Sequence, residues 1–237
     1  MESAQSATPT QPLRDDGAPA LIATIVPEPA VAVDTRRDLG EEPLPGEVER
    51  VERAVPSRRA EFATGRACAR RALARLDLPP RAIPAGPRGE PLWPAGIIGS
   101  ITHCAGYRGA VLARTAQIAT IGIDAEPNAE LPDGLLKLIS LPEERDRLER
   151  LAGIEPSVHW DRLLFCAKEA VYKAWYPLAE RWLDFEDAAV TFEPEHGRFT
   201  ARLGVPGPLF QGRELTGFTG RWLVREDLIL TAIVLPR

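Results

Sequence analysis

Two long segments of helical period, each set among short strand-like runs, limit what this chain can fold into more than any other feature. One is SRRAEFATGRACARRALARL (57–76), the other HWDRLLFCAKEAVYKAWYP (159–177). Ser57, directly after Pro56, is placed to cap the first helix, and Pro79-Pro80 forces it to stop. GIIGSITHC (96–104), RGAVLART (108–115) and QIATIGIDAE (117–126) read as strands, and 188–203 and 215–235 as two hairpins. ALIATIVPEPAVAVD (20–34) has strand character broken by two prolines, which predicts an edge strand and a turn. LISLPEERDRLERL (138–151) predicts one short amphipathic helix. Helix paired with antiparallel strands occurs in each half, so the pattern is α+β. The expected division is a small, polar, disordered tail (1–19), an N-terminal half (20–120) and a C-terminal half (121–237).

With 237 residues and 44% hydrophobic content the chain can bury a real core, which excludes a wholly disordered protein. It has no apolar run of about 18 residues that could span a bilayer. The opening MESAQSATPTQPLRDD lacks the basic flank and apolar stretch of a secretory signal, so the expected compartment is the cytoplasm. Three dispersed cysteines (Cys68, Cys104, Cys166) suit neither a disulfide framework nor a zinc cluster. A net charge of −5 argues against a nucleic-acid partner. Only three of the 29 basic residues are lysines, and two of these, Lys168 and Lys173, lie within six residues of each other.

On a helical wheel Phe62, Ala69, Leu73 and Leu76 share the buried stripe of the first helix. Arg58 and Arg66, four residues before and after Phe62, fall inside it. A guanidinium there needs an anion: the protein's own carboxylate, solvent reached by snorkelling, or a phosphate gripped by the pair. On the second helix Lys168 falls inside the apolar face of Trp160, Leu164, Val171 and Trp175, Glu169 at its rim, and Lys173 one turn beyond. Glu169 and Lys173 alone could be a surface i,i+4 pair, but Lys168 needs an anionic partner. In IGIDAEP, Asp124 and Glu126 share a strand face with Cα atoms about 7 Å apart. They are either solvated at an exposed strand end or gathered round a cation, for which oxygen donors favour Mg²⁺. His103 closes a strand just before a turn. H-E-x-x-H, G-x-S-x-G, P-loop and dinucleotide motifs are absent, which removes the corresponding hydrolases, kinases and dehydrogenases.

GSITHCAGY, then IGIDAEP, then FCAKEAVYKAW resemble, in order and spacing, the surfactin-type 4′-phosphopantetheinyl transferases, in the branch of enterobactin synthase component D and its actinobacterial relatives. The resemblance covers roughly residues 40–195. It implies two similar halves in a pseudo-twofold arrangement, each an antiparallel sheet packed with a long helix, with the active site in the cleft between them. It implies transfer of the phosphopantetheine arm of coenzyme A to a serine of an apo acyl or peptidyl carrier protein, with release of 3′,5′-ADP. By the same resemblance Asp124, Glu126 and Glu169 would hold Mg²⁺, and Lys168 and Lys173 would neutralise phosphate oxygens. Glu169 would also take the serine proton. Arg58 and Arg66 would hold the 3′-phosphate, and Thr102 and His103 would contact the diphosphate. Gly86, Pro87 and Arg88 would lie at the adenine end, Arg88 standing where relatives often carry lysine. A monomer without membrane contact is expected. Two other readings stay open on the residues alone: a non-catalytic carrier-binding module, and a Mg²⁺-dependent hydrolase of nucleotide diphosphates.

Overall fold

The computed structural model describes residues 20–237; the tail expected at 1–19 lies outside the described residues. The first half contains β1 (Val31–Thr35), α1 (Pro56–Arg75), β2 (Ile97–Cys104) and β3 (Tyr107–Arg114), with the strands antiparallel in the order β1-β3-β2. β1 is the expected edge strand, whereas Ile22–Thr24 before it is a short 3₁₀ turn. Helix α1 starts two residues earlier than a Ser57 cap would set. Val55 is extended and Pro56 takes the first helical position, where its missing N–H is not needed and its φ is already helical. The helix ends in a Schellman-type turn: Asp77 is left-handed (φ 59°), and the Leu78 N–H reaches the Leu73 carbonyl at 3.0 Å.

The second half runs β4 (Ile118–Pro127), α2 (Leu135–Ile139), α3 (Pro142–Ile154), α4 (Trp160–Ala179), β5 (Ala188–Glu193), β6 (Arg198–Leu203), β7 (Leu209–Phe210), β8 (Arg213–Glu214), β9 (Gly217–Arg225) and β10 (Leu228–Pro236). Five of these strands form an antiparallel sheet in the order β4-β10-β9-β6-β5. The expected hairpins appear as β5–β6 and β9–β10, and β7–β8 adds a small ribbon too short to read from a pattern. The single helix expected over 138–151 is two helices. Pro142 starts α3, and the Glu144 carboxylate accepts the Leu141 N–H at 2.7 Å, which fixes the break.

Each half thus sets one 20-residue helix against an antiparallel sheet. Strand β3 is buried on both faces: Ala110 and Leu112 pack under α1 with Leu73 and Ile83, while Val111 and Ala113 face Ile121, Ile123 and Leu230 of the other half. A third cluster joins Trp160, Leu164 and Trp175 of α4 to Phe199 and Ile229 of the large sheet. Burying each of the larger aliphatic side chains among them contributes about 1.5–3 kcal/mol. Among the described residues no helix is long and apolar enough to cross a membrane.

The two sheets meet where β2 lies beside β4. The N–H groups of Ile123 and Ala125 donate to the hydroxyls of Ser100 (3.1 Å) and Thr102 (3.0 Å). Side-chain oxygens on one strand therefore take the place of backbone carbonyls along this seam. On its other face β4 carries α4 at very close range. A Cβ at Gly122 would lie 2.0 Å from the Ala170 carbonyl oxygen, and the Thr120 hydroxyl donates to the Ala174 carbonyl at 2.7 Å. Glycine at 122 is what lets the helix bring its polar edge up to Asp124.

Candidate active site

A cleft of about 1040 Å³ opens between the halves, lined by α1, the loop around Arg88, the end of β2, β4 and one face of α4. Asp124 sits at its floor, 6% exposed. Its Oδ1 accepts hydrogen bonds from the Lys173 ammonium (2.7 Å) and the Thr102 hydroxyl (3.1 Å). Thr102 therefore does two jobs at once, closing the seam to Ala125 and orienting Asp124. Asp124 Oδ2 is buried and, among the described residues, receives no hydrogen bond from nitrogen or oxygen. Behind it lies the Cys166 thiol, which burial and the same carboxylate keep neutral, leaving at best a weak donor. Burial works against the Lys173 ammonium, but Asp124, and behind it Glu169, outweigh that and hold its pKa above the ordinary lysine value.

Glu169 lines the cleft one helical turn before Lys173. Burial and then Asp124 push its pKa up, with Lys173 pulling the other way. Glu126 also faces the cleft, but Arg162 of α4 holds it at 3.0 Å while donating to the carbonyls of Ala129 and Glu130. Its pKa is raised by burial and by Asp124 despite that partner. Among the described residues no three acidic, histidine or cysteine side chains are gathered into a metal cluster. Of the expected trio Asp124, Glu126 and Glu169, all three line the cleft, and Glu126 is held there by Arg162. A hard cation that keeps its waters needs only one or two carboxylates besides the substrate's phosphates. The second Asp124 oxygen and the neighbouring Glu169 fit that requirement.

The opposite wall is basic. Arg66 is 5% exposed, stacks over the Phe62 ring at 4.3 Å and donates from Nε to the Ile83 carbonyl at 2.9 Å. It forms no ion pair among the described residues, so a salt bridge to the protein's own carboxylate does not account for it. Burial lowers its pKa to about 10, which leaves it charged at neutral pH. Arg58 shares its side of α1 but not its burial. It sits in the first turn, beyond the reach of the core, with its side chain 48% exposed. There it bonds the His103 ring and the Glu61 carboxylate. Burial first, then Arg58, pushes His103 down to about 4, so its imidazole is neutral under ordinary conditions. Arg88 lies at the rim with its guanidinium 5.5 Å from the Tyr176 ring centre. Gly86 and Pro87 do not line the cleft. Gly86 pairs with Glu90 and Gly89 through backbone bonds and so shapes the turn that carries Arg88.

Lys168 requires the clearest correction. It is buried, as the wheel demanded, but it points away from the cleft. Its ammonium donates to Glu144 of α3 at 2.8 Å and to the Phe185 carbonyl at 2.7 Å. The anion it needs is a carboxylate of the same chain, with both side chains only 1% exposed. Sequence reading also missed two buried arginines. Arg70 pairs with Glu47 and Glu41, and Arg108 with Asp38 (2.9 Å), on partners too distant in sequence for any local spacing to reveal.

Residues 46–113 match a family model described as the 4′-phosphopantetheinyl transferase N-terminal domain, and residues 120–226 match the 4′-phosphopantetheinyl transferase superfamily. The chain is 54% identical over 217 residues to the 4′-phosphopantetheinyl transferase Svp of Streptomyces mobaraensis, covering 90% of this chain and 88% of that one. It is 53% identical over 197 residues to the 4′-phosphopantetheinyl transferase PptT of Mycobacterium tuberculosis, covering 81% and 86%. A shorter match, 35% over 127 residues and about half of each chain (53% and 52%), is to enterobactin synthase component D of Salmonella typhimurium.

Proposed function

The chain belongs to the 4′-phosphopantetheinyl transferase superfamily, and from that premise we propose that it moves the phosphopantetheine arm of coenzyme A onto a serine hydroxyl of an apo carrier protein, releasing 3′,5′-ADP with the help of Mg²⁺. The observation that carries this reading is the cleft itself: a buried carboxylate at its floor with one oxygen bound to an ammonium, and on the opposite wall a buried arginine that makes no ion pair among the described residues.

In that reaction the serine oxygen forms a bond to the phosphorus bearing the pantetheine arm. The bond from that phosphorus to the bridging oxygen breaks, the serine proton leaves to a base, and the ADP fragment departs with the bridging oxygen. Glu169 supplies the base, directly or through a water, and a carboxylate with a raised pKa holds a proton better than an ordinary one. Lys173, kept charged by Asp124, faces the oxygens on which negative charge builds. Arg66, with Arg58 at the rim, meets the 3′-phosphate and sets the distance from that end to the diphosphate. His103, neutral and bonded to Arg58, orients that arginine and offers no charge of its own. Arg88 stands at the adenine end. Asp124 and Glu169 would hold Mg²⁺, which would supply charge neutralisation on the diphosphate.

Intact-protein mass spectrometry of an apo carrier incubated with coenzyme A and Mg²⁺ tests this. The carrier is expected to gain the phosphopantetheine arm with wild-type enzyme and not with Asp124→Ala, nor after chelation of the metal. Release of 3′,5′-ADP without carrier modification would replace transfer by hydrolysis.

A further inference from the structure

A fully buried carboxylate outside the cleft, Glu47, supports Arg66, a buried arginine that makes no ion pair among the described residues. Glu47 is 0% exposed and lies just before a 3₁₀ turn on the segment that precedes α1. It makes four hydrogen bonds. Oε1 accepts from Arg70 Nη1 (3.1 Å) and from the Ile83 N–H (2.8 Å). Oε2 accepts from Arg70 Nη1 (3.1 Å) and from the Leu44 N–H (2.9 Å). Ile83 is itself 0% exposed, and its carbonyl is the acceptor that anchors Arg66 Nε at 2.9 Å. One peptide segment is thus gripped from both sides: Glu47 holds the N–H of Ile83 and Arg66 bonds its carbonyl.

This arrangement does more than fill a core. Arg66 and Arg70 stand one turn apart on α1, so two positive charges share a buried face. Glu47 binds one of them outright. To the other it offers a fixed backbone acceptor that occupies Nε and leaves the two terminal nitrogens for the cleft. A guanidinium anchored through Nε loses less freedom when it grips an anion, because its plane is already set. Glu47 itself does not line the cleft.

We propose that Glu47 is a positioning residue for phosphate recognition, acting through Ile83 to fix the Arg66 guanidinium toward the cleft. The inference rests on the reading of Arg66 as the 3′-phosphate contact. The test compares coenzyme A with 3′-dephospho-coenzyme A as donors in the carrier assay, in wild type, Arg66→Ala, Glu47→Gln and the double variant. A charge-assisted contact of this kind is worth roughly tenfold or more in kcat/KM. Wild type is expected to prefer coenzyme A, and Glu47→Gln to lose roughly tenfold of that preference through KM with little change in kcat. In the double variant the preference should fall no further than in Arg66→Ala alone. A merely structural loss would lower the rate with both donors equally and leave the ratio intact. Arg70→Lys keeps a cation beside Glu47 with a weaker grip, and a partial loss of preference is expected there should Glu47→Gln not fold. An unchanged donor ratio in Glu47→Gln, or in Arg70→Lys where that variant stands in, overturns the role of Glu47 while the site reading stands. A wild type that treats both donors alike overturns the reading of Arg66 and this inference with it.

Discussion

Replacing Lys168 by methionine should unsettle the fold while sparing the chemistry. The ammonium makes two hydrogen bonds, to Glu144 at 2.8 Å and to the Phe185 carbonyl at 2.7 Å. Glu144 in turn accepts from the backbone of Leu141 and of Val190, both at 2.7 Å, so it ties α3, α4 and β5 together. Removing one member of a buried pair leaves the other uncompensated and typically costs about 3–5 kcal/mol. Two backbone donors would still face the Glu144 carboxylate, which puts Lys168→Met near the lower end, about 3 kcal/mol. Glu144→Gln should cost about as much, and the double variant less than the two singles added together, since neither charge is then stranded. Urea titration followed by tryptophan fluorescence reads the stability, and the carrier assay at low temperature reads the rate per folded molecule. The midpoint is expected to fall in both single variants, with kcat/KM staying within about tenfold of wild type because neither group reaches the cleft. A Lys168→Met protein of wild-type stability whose transfer rate drops by orders of magnitude would refute this and return the lysine to the phosphate.

Gly122→Ala should be costly. Its Cβ would meet the backbone of Ala170 at 2.0 Å and of Ala174 at 2.6 Å, so about 3 kcal/mol of stability and most of the transfer activity are lost; normal values in both assays would count against the close seat of α4 on β4. Glu169→Gln should abolish transfer yet raise the Tm at neutral pH. A carboxyl whose pKa is raised on folding makes the native state bind more protons than the unfolded chain, so its destabilising effect appears as pH rises above the ordinary carboxylate range. The Tm gap between variant and wild type should therefore close as pH falls below that range, and a gap independent of pH would refute the burial of Glu169. His103 should stay neutral until pH nears 4, checked by NMR titration of its ring, and an inflection near its ordinary value would refute its burial beside Arg58.

The wheel and the alternation pattern read the chain well wherever burial follows a local period. β2, β3 and β4, the two long helices and both hairpins all appear where periodicity and turn residues put them. Local period says that a charge is buried, but not which counter-charge it meets. Lys168 and Arg66 posed the same puzzle on their helices. One found Glu144, 24 residues earlier, and the other makes no ion pair among the described residues and bonds the Ile83 carbonyl instead. Arg58 illustrates a second limit, for a wheel has no ends: the stripe continues to the first turn of α1, while the core beneath it does not. Arg162, 36 residues after Glu126, shows the same from the acidic side, because D-x-E spacing cannot reveal that one acid is already matched.

The location of the site follows from how the two sheets fail to merge. Had β2 and β4 been joined by a backbone ladder, their polar groups would have been used up between them. Instead the N–H groups of Ile123 and Ala125 turn to Ser100 and Thr102, and a hydroxyl, unlike a carbonyl, still has a proton to give. Thr102 gives that proton to Asp124, whose carboxylate is thereby held in a nearly dry position from the N-terminal half while Lys173 holds the same oxygen from α4. Both halves thus spend their polar groups on a single oxygen and leave the second, among the described residues, without a nitrogen or oxygen donor. A buried carboxylate oxygen in that state costs roughly 1–3 kcal/mol or more. The same seam that joins the halves therefore sets the Asp124 carboxylate at the floor of the cleft, with one oxygen held from both halves.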